Sequence, residues 1–531
     1  MKNYKYIGLL LLSFSVASCD VNNELDKITD PVQAEVALNT NGLDFSSYIA
    51  VGASLTAGFT DGALFKAGQE NSYPNILAKK FGVGATFTQP LMEDNIGGML
   101  FGGSAVIQDP RLIFDGAGPV RLDAIPTTEG TTVLTGGFNN YGIPGAKSFH
   151  IVADGLGNLD GVPLGQANPY YARMATSATA NVLADAMAQS PTFFTLSEIG
   201  GNDVLTYATS GGVGVDQSPT TTNPNGNLDP RTYGGNDITN PLVFDQVFRA
   251  MLTILTSGEA KGVIATVPEI TLLPFFTTVP NNALELPTAT AASLTGFFQA
   301  VAGIFTQGAI AQGASAEDAQ ALGAQYAITF TEGNNRWIID VPVSPTNPLG
   351  FRQMTENELL VLTIDQSALK EGYGSVLLTP EVLEVLGKLQ EGIDITPTEG
   401  QMVLGAVNGL DDKDALDTDE LLSIKTAIEA YNATIADVAS SNENVAVIDL
   451  NAILREAASG IQFDRYTMTT SLVTGGLVSL DGIHLTARGY ALMANRILGA
   501  IDAKFGSNFT TATNGLAKAD DYPTNYTPTL Q

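Results

Sequence analysis

The sequence predicts an α/β protein with one doubly wound parallel sheet. Four short apolar runs have the length of buried strands and lie far apart, at residues 47 to 51, 191 to 199, 261 to 268 and 444 to 450. Helical patterns alternate with them, and residues 422 to 440 form the predicted helix that leads into the last run. Buried strands that alternate with helices favour one parallel sheet with helices on both faces. The excess length of the 531-residue chain is therefore insertion.

A serine follows the first predicted strand. Residues 47 to 51 lead directly into Gly52, Ala53 and Ser54, so Ser54 lies in a tight turn at the carboxyl edge of the sheet. A serine hydroxyl is a weak nucleophile near neutral pH until a base accepts its proton. A catalytic role for Ser54 therefore requires a base, an orienting acid and an oxyanion hole elsewhere in the chain.

His484 is the candidate base. The chain contains two histidines, His150 and His484, and histidine can accept and return a proton near neutral pH. Asp481 precedes His484 by three residues in a loop, where its carboxylate can fix the imidazole tautomer that faces a serine. Thr486 is the predicted N-cap of the following helix. His150 has no comparable loop setting, so we expect a structural role for it.

Asn202 is the candidate side-chain donor of an oxyanion hole. It follows the run at 191 to 199, within Gly200-Gly201-Asn202-Asp203. A fixed donor of this kind contributes about 10²- to 10³-fold to the rate of acyl transfer. The same four letters recur at Gly234-Gly235-Asn236-Asp237, after a polar stretch with no strand. We therefore select Asn202 and expect Asn236 to lie in a surface turn.

Four separate blocks resemble the motifs of the SGNH, or GDSL-type, hydrolases. In the order of that family, they are Gly52-Ala53-Ser54-Leu55, Asn140-Tyr141-Gly142-Ile143-Pro144-Gly145, Gly200-Gly201-Asn202-Asp203 and Asp481-Gly482-Ile483-His484. The resemblance implies a flavodoxin-like three-layer α/β/α sandwich with a parallel sheet. It also implies that the blocks lie at the carboxyl ends of the strands.

The resemblance assigns a role to each matching residue. It implies that Ser54 is the nucleophile, that His484 is the base and then the acid, and that Asp481 orients His484. The implied oxyanion hole consists of the backbone N–H groups of Ser54 and Gly145 with the Asn202 side chain. The implied function is a serine esterase or lipase that cleaves carboxylic esters through an acyl-enzyme.

Two alternatives bear on this interpretation. Ala53 stands where the motif has aspartate, which leaves open a non-catalytic surface binding lipoprotein on the same scaffold. The α/β-hydrolase elbow, Gly-x-Ser-x-Gly, is excluded because Thr56 occupies the place of the second glycine. The substrate stays open among lipid, short-chain and glycan O-acyl esters.

We expect no cofactor and no metal, because the sequence has neither a zinc-type histidine pair nor a glycine-rich phosphate motif.

Residues 1 to 18 are predicted to be a lipoprotein signal peptide. Lys2 and Lys5 precede an apolar core that is too short for a membrane span, and the segment ends at Cys19, the only cysteine of the chain. This resembles the bacterial signal in which that cysteine is lipidated as the first mature residue. We expect residues 19 to 45 to form a lipidated tether. The expected location is the bacterial cell envelope, most simply the outer membrane.

The formal net charge of the chain is -30. A negative field of this size repels phosphate backbones, so nucleic acid is not an expected partner, whereas a neutral small-molecule or glycan ester meets no such barrier. The lipid anchor is the expected contact with the membrane. The oligomeric state is open at this point.

The hydrolase domain is expected to span residues 46 to 506, followed by a tail at 507 to 531 that is either poorly ordered or packed at an edge. An insertion at about 275 to 420 is large enough for a cap or lid subdomain. An apolar helical face within it consists of Leu294, Phe297, Phe298, Val301 and Phe305. This face either packs on a core or forms a lid or acyl-binding wall over the nucleophile.

Overall fold

Five parallel strands form the central sheet. The computed structural model describes residues 35–531. The strands are β1 (Tyr48–Gly52), β2 (Asn140–Gly142), β3 (Phe193–Leu196), β4 (Lys261–Ala265) and β5 (Val445–Ile448). Their order across the sheet is β5-β4-β3-β1-β2, and every neighbouring pair is parallel. The predicted α/β class with one parallel sheet is confirmed, and four of the strands coincide with the four apolar runs.

Ten helices of eight or more residues occur within residues 35–531. They are α1 (Tyr73–Lys80), α2 (Asn202–Thr209), α3 (Pro241–Leu255), α4 (Thr288–Ala311), α5 (Ala316–Ala324), α6 (Pro380–Gln390), α7 (Pro397–Leu404), α8 (Thr418–Ser440), α9 (Leu450–Ser459) and α10 (Ala487–Phe505). The predicted cap of α10 is confirmed, because Thr486 Oγ1 accepts a hydrogen bond from the Gly489 N–H at 3.0 Å. Asp417 caps α8 in the same way, through the N–H groups of Asp419 and Glu420.

Helices cover both faces of the sheet. Side chains alternate along a strand, so Ile49 and Val51 of β1 pack in one cluster with α3 and α8. Tyr48 and Ala50 point to the opposite face and pack in a second cluster with α1 and α10. Both faces of these strands are buried. Their sequences are therefore apolar throughout and do not alternate strictly between apolar and polar residues.

Shorter elements connect this framework. The short α-helices are Ser54–Ala57, Lys66–Glu70, Pro169–Ala172, Val182–Met187, Pro274–Thr277 and Gln366–Lys370. The 3₁₀ turns are Ser148–Ile151, Leu159–Leu164, Pro230–Thr232, Ile270–Leu272, Asp412–Asp414 and Ala519–Asp521. Seven antiparallel strand pairs are Met99–Phe101 with Ala105–Gln108, Leu112–Phe114 with Pro119–Arg121, Leu284–Leu286 with Gly333–Asn335, Ile338–Asp340 with Phe351–Gln353, Leu359–Leu360 with Ala415–Leu416, Ser375–Val376 with Val407–Asn408, and Ile461–Phe463 with Tyr466–Met468.

The insertion has hydrophobic clusters of its own. The larger one draws all its buried members from residues 286 to 406. The predicted apolar face lies on α4, with Leu294, Phe297, Phe298 and Val301 buried in this cluster and Phe305 packed at its side. The face therefore packs in the core of the insertion, which is the first of the two alternatives.

The helix α4 has a second notable property. Within residues 35–531, it is the one helix that is long and apolar enough to cross a membrane by length and composition. A single helix of this kind is weak support for a membrane span, because core helices pass the same test.

Both ends of the described chain pack on the sheet domain. Leu43 and Phe45 are buried with the second cluster, so the folded part begins before the predicted boundary at residue 46. In the tail, Phe509 is buried, and the Arg111 guanidinium donates to the Thr527 carbonyl oxygen at 2.7 Å. The tail is therefore packed at an edge. The predicted signal peptide, Cys19 and most of the tether lie outside the described residues.

Candidate active site

Three of the predicted residues form one hydrogen-bonded chain. Ser54 Oγ lies 2.9 Å from His484 Nε2, and His484 Nδ1 lies 2.8 Å from Asp481 Oδ2. Ser54 begins a short helix just after β1, and His484 lies in the loop before α10. When Nδ1 carries the proton that faces Asp481, Nε2 is the atom that can accept the Ser54 proton.

Asp481 is fixed by five hydrogen bonds. Its Oδ1 accepts from Ser479 Oγ and from the N–H groups of Ile483 and His484, and its Oδ2 accepts from the Gly62 N–H and His484 Nδ1. Burial by itself raises the pKa of this carboxyl, but the charge of His484 and these hydrogen bonds outweigh burial. The pKa of Asp481 is therefore below its ordinary value, and the group is ionised near neutral pH.

The three predicted oxyanion donors follow three adjacent strands. Ser54 follows β1, Gly145 follows β2 and Asn202 follows β3, at the same edge of the sheet. Asn202 Nδ2 donates to the Ala146 carbonyl oxygen at 2.9 Å, which fixes the amide next to Gly145 and leaves its second N–H free for a ligand. Gly145 has a φ of 78°, and its N–H has no hydrogen-bond partner within residues 35–531.

Glu198 is a candidate positioning residue that the sequence did not reveal. Its buried Oε1 accepts hydrogen bonds from the N–H groups of Ala53 at 2.6 Å and Thr56 at 2.8 Å, so it fixes the backbone on both sides of Ser54. Its φ of 47° is a left-handed conformation that often marks functional sites. Burial raises the pKa of Glu198 to about 7. The one available signal was an acid inside the apolar run at 191 to 199.

Asp61 is a second buried carboxyl beside the triad. Its N–H donates to Ser479 Oγ at 3.0 Å, and its Oδ1 accepts from the Leu480 N–H at 3.1 Å. It therefore joins the turn after Ser54 to the loop that carries Asp481. Burial raises the pKa of Asp61 to about 7. No local pattern marked this residue, because its partners lie more than four hundred positions away.

His150 has a structural role, and Asn236 lies in a surface turn. His150 Nδ1 accepts from the Lys147 N–H at 3.1 Å, and burial, with a smaller effect of the Lys147 charge, lowers its pKa to about 4. Asn236 is exposed, while the neighbouring Asp237 accepts from the Gly234 N–H in a turn. Both outcomes agree with the predictions. No group of three or more His, Cys, Asp or Glu side chains within residues 35–531 is placed to hold a metal ion.

A pocket opens beside the triad. Its volume is about 120 Å³ for the centre of a water-sized sphere, and Ser54, Asn202 and His484 form one end of its wall. Ligand sites in open parallel sheets commonly lie beyond the carboxyl ends of the strands, where this pocket also lies.

Comparisons with protein-family models, with curated proteins and with solved structures found no match to this chain. The class of protein defined by its own residues is an α/β protein with a five-stranded parallel sheet. Its candidate site contains a Ser, His and Asp chain, a set of backbone and amide donors, and an adjoining pocket.

Proposed function

We propose that this protein is a serine esterase of the SGNH, or GDSL-type, class. The observation that carries the proposal is the chain of two hydrogen bonds from Ser54 through His484 to Asp481, at 2.9 Å and 2.8 Å. A buried, ionised acid, a histidine and a serine in this geometry have the roles that acyl transfer requires. Hydrogen bonds from its own loop and from the Gly62 N–H hold Asp481 in this geometry.

The proposed reaction has two halves. Ser54 Oγ attacks the ester carbonyl carbon while His484 Nε2 takes the hydroxyl proton, and the resulting oxyanion faces the N–H groups of Ser54, Gly145 and Asn202. His484 then gives the proton to the leaving alcohol oxygen, and the acyl group stays on Ser54. In the second half, His484 takes a proton from water as the water oxygen attacks the acyl carbon. Return of that proton to Ser54 Oγ releases the acid.

The finer fold is part of the proposal. Helices on both faces of a five-stranded parallel sheet support a flavodoxin-like three-layer sandwich. The positions of Ser54, Gly145 and Asn202 after adjacent strands β1, β2 and β3 support the order of motif blocks in SGNH hydrolases.

Ester hydrolysis by the purified protein tests this function. We expect turnover of p-nitrophenyl esters, and a loss of at least ~10³-fold in kcat/KM in Ser54→Ala and in His484→Ala. Thermal unfolding of the variants checks that they fold. Turnover by Ser54→Ala equal to that of the unmodified protein would contradict the proposal. A folded protein that binds esters but hydrolyses none would instead favour the non-catalytic binding lipoprotein.

We also propose that Cys19 carries a lipid anchor and that the protein belongs to the bacterial cell envelope. The support is the signal-like sequence that ends at Cys19. In bacteria that express the full chain, membrane fractionation and mass spectrometry should find a lipidated N-terminal cysteine. Cys19→Ser should release the protein from the membrane fraction; an unchanged distribution would contradict the anchor.

A further inference from the structure

The pocket beside Ser54 is almost entirely aliphatic. Nineteen residues line it, and thirteen of these are Leu, Ile, Met or Pro. The four polar side chains, Ser54, Glu198, Asn202 and His484, all belong to the reactive end described above. Away from that end, the wall presents no side-chain hydrogen-bond donor or acceptor within residues 35–531.

The wall comes from the sheet domain and not from the insertion. Its aliphatic members lie on the turn after β4, such as Ile270 and Leu273, on α9, such as Ile453 and Leu454, and on α10, such as Leu492. Within the described residues, none of the lining side chains falls between residues 274 and 449. The pocket therefore belongs to the same rigid framework as the triad.

This wall selects against a sugar and in favour of a hydrocarbon. A sugar hydroxyl that enters without a hydrogen-bond partner loses its bonds to water, which is costly. A methylene group that enters is removed from water, which is favourable by about 0.8 kcal/mol, or about fourfold in an equilibrium or rate constant.

We propose that the pocket binds an aliphatic chain attached to the scissile ester, so that the substrate is an ester of a fatty acid or a fatty alcohol rather than an acetylated glycan. The inference rests on the proposed esterase function and selects among the substrates that the sequence left open. The shared chemistry is a hydrocarbon chain that starts within reach of Ser54 and His484.

Two ester series distinguish the two sources of that chain. The first keeps p-nitrophenol and lengthens the acyl group from acetyl through butyryl and hexanoyl to octanoyl. The second keeps acetate and lengthens the alcohol from ethanol through butanol to octanol, with acid release followed by titration. We expect kcat/KM to rise by up to about fourfold per added methylene in one series until the pocket is full. A rise in the first series assigns the chain to the acid, and a rise in the second assigns it to the alcohol.

Two variants test whether the dependence of kcat/KM on chain length arises in this pocket. Ile453→Phe narrows the pocket from α9 and should lower the octanoyl-to-acetyl ratio of kcat/KM by about tenfold. Ile254→Phe makes the same change at an exposed position of α3, 42% exposed, and should leave the ratio unchanged.

The outcomes separate this inference from the function on which it rests. If acetyl esters are hydrolysed but kcat/KM does not change with chain length in either series, the inference is overturned. The proposed esterase function then still stands. Faster hydrolysis of an acetylated oligosaccharide than of every octanoyl or octyl ester would overturn it as well. No hydrolysis of any ester would overturn the esterase itself.

Discussion

At the scale of single residues, Glu198 explains how the turn at Ser54 is fixed without an aspartate at position 53. The GDSL-type motif has a polar side chain where this chain has Ala53. Here the Ala53 N–H and the Thr56 N–H both donate to Glu198 Oε1, and Glu198 lies just beyond the end of β3, the strand next to β1. An acceptor just beyond the end of the neighbouring strand therefore orients the Ser54 backbone, and the alanine does not leave the turn without support.

Replacement of Glu198 tests this positioning role. Glu198→Ala leaves two buried N–H groups unpaired, and we expect kcat to fall by about tenfold to a hundredfold, with a smaller change in KM. Glu198→Gln keeps an acceptor oxygen at the same place and should restore most of kcat. If Glu198→Ala and Glu198→Gln lose kcat equally, the acceptor role is not the reason for the loss.

The two Gly-Gly-Asn-Asp segments provide a matched pair of variants. Asn202→Ala removes an amide that is fixed beside Gly145, and kcat should fall by about 10²- to 10³-fold. Asn236→Ala removes the exposed amide of the second segment and should have no effect on kcat. Steady-state kinetics of both variants checks this, and equal losses would contradict the assignment of Asn202.

At the scale of elements, the insertion has its own core. Phe298 of α4 is fully buried there, with Phe330 and Phe351 packed against its ring. The pocket wall consists of α9, α10 and the turn after β4 instead. Stability of the insertion and chain-length preference should therefore be separable.

Phe298→Ala tests that separation. Removal of a buried ring costs about 3–5 kcal/mol, so we expect the unfolding transition of the insertion to shift to a lower temperature. The dependence of kcat/KM on ester chain length should stay as in the unmodified protein at temperatures where the variant is folded. A changed chain-length profile would mean that the insertion contributes to the pocket after all.

At the scale of the whole molecule, buried carboxyls couple stability to pH. Burial raises the pKa of Asp61 and Glu198 to about 7 and that of Glu420 to about 8. Each raised pKa contributes stability that is complete below the ordinary carboxyl pKa and is lost as pH rises through the raised value. Titration of His150 has the opposite effect, because it increases stability as pH rises from about 4 to 6.5. This is one group against three carboxyls.

We therefore expect the melting temperature to fall as pH rises from about 5 to 8. In Glu198→Gln the decline should be shallower, because this group no longer loses a proton in the folded state. Calorimetry at constant ionic strength provides the measurement. A melting temperature that stays constant or rises over this interval would contradict the raised pKa values of these carboxyls.

Local patterns predicted part of the fold and part of the site. The four apolar strands and the cap of α10 depend on neighbouring residues, so their sequence signals are strong. The strand β2 is only three residues long, Asn-Tyr-Gly, and lacks an apolar run. It pairs with β1, and Asn140 Nδ2 donates to the Thr56 carbonyl oxygen. The roles of Glu198 and Asp61 depend on partners far along the chain, which no local pattern records.

The domain limits were also only partly predictable. A polar segment with isolated apolar residues looks like a tether, yet Leu43 and Phe45 insert between the helices of the sheet domain. The apolar face of α4 was visible, but its burial partner was not, because an amphipathic pattern does not say which core it faces.

Reaction with a fluorophosphonate tests whether Ser54 is an activated nucleophile. Such a reagent forms a covalent bond with a serine oxygen only where a base activates the hydroxyl, and fluoride leaves. We predict one label per chain by intact mass, located on Ser54 by peptide mapping, absent in Ser54→Ala and strongly slowed in His484→Ala. A folded protein that takes no label, or a Ser54→Ala variant that is labelled equally fast, would show that Ser54 is not the nucleophile.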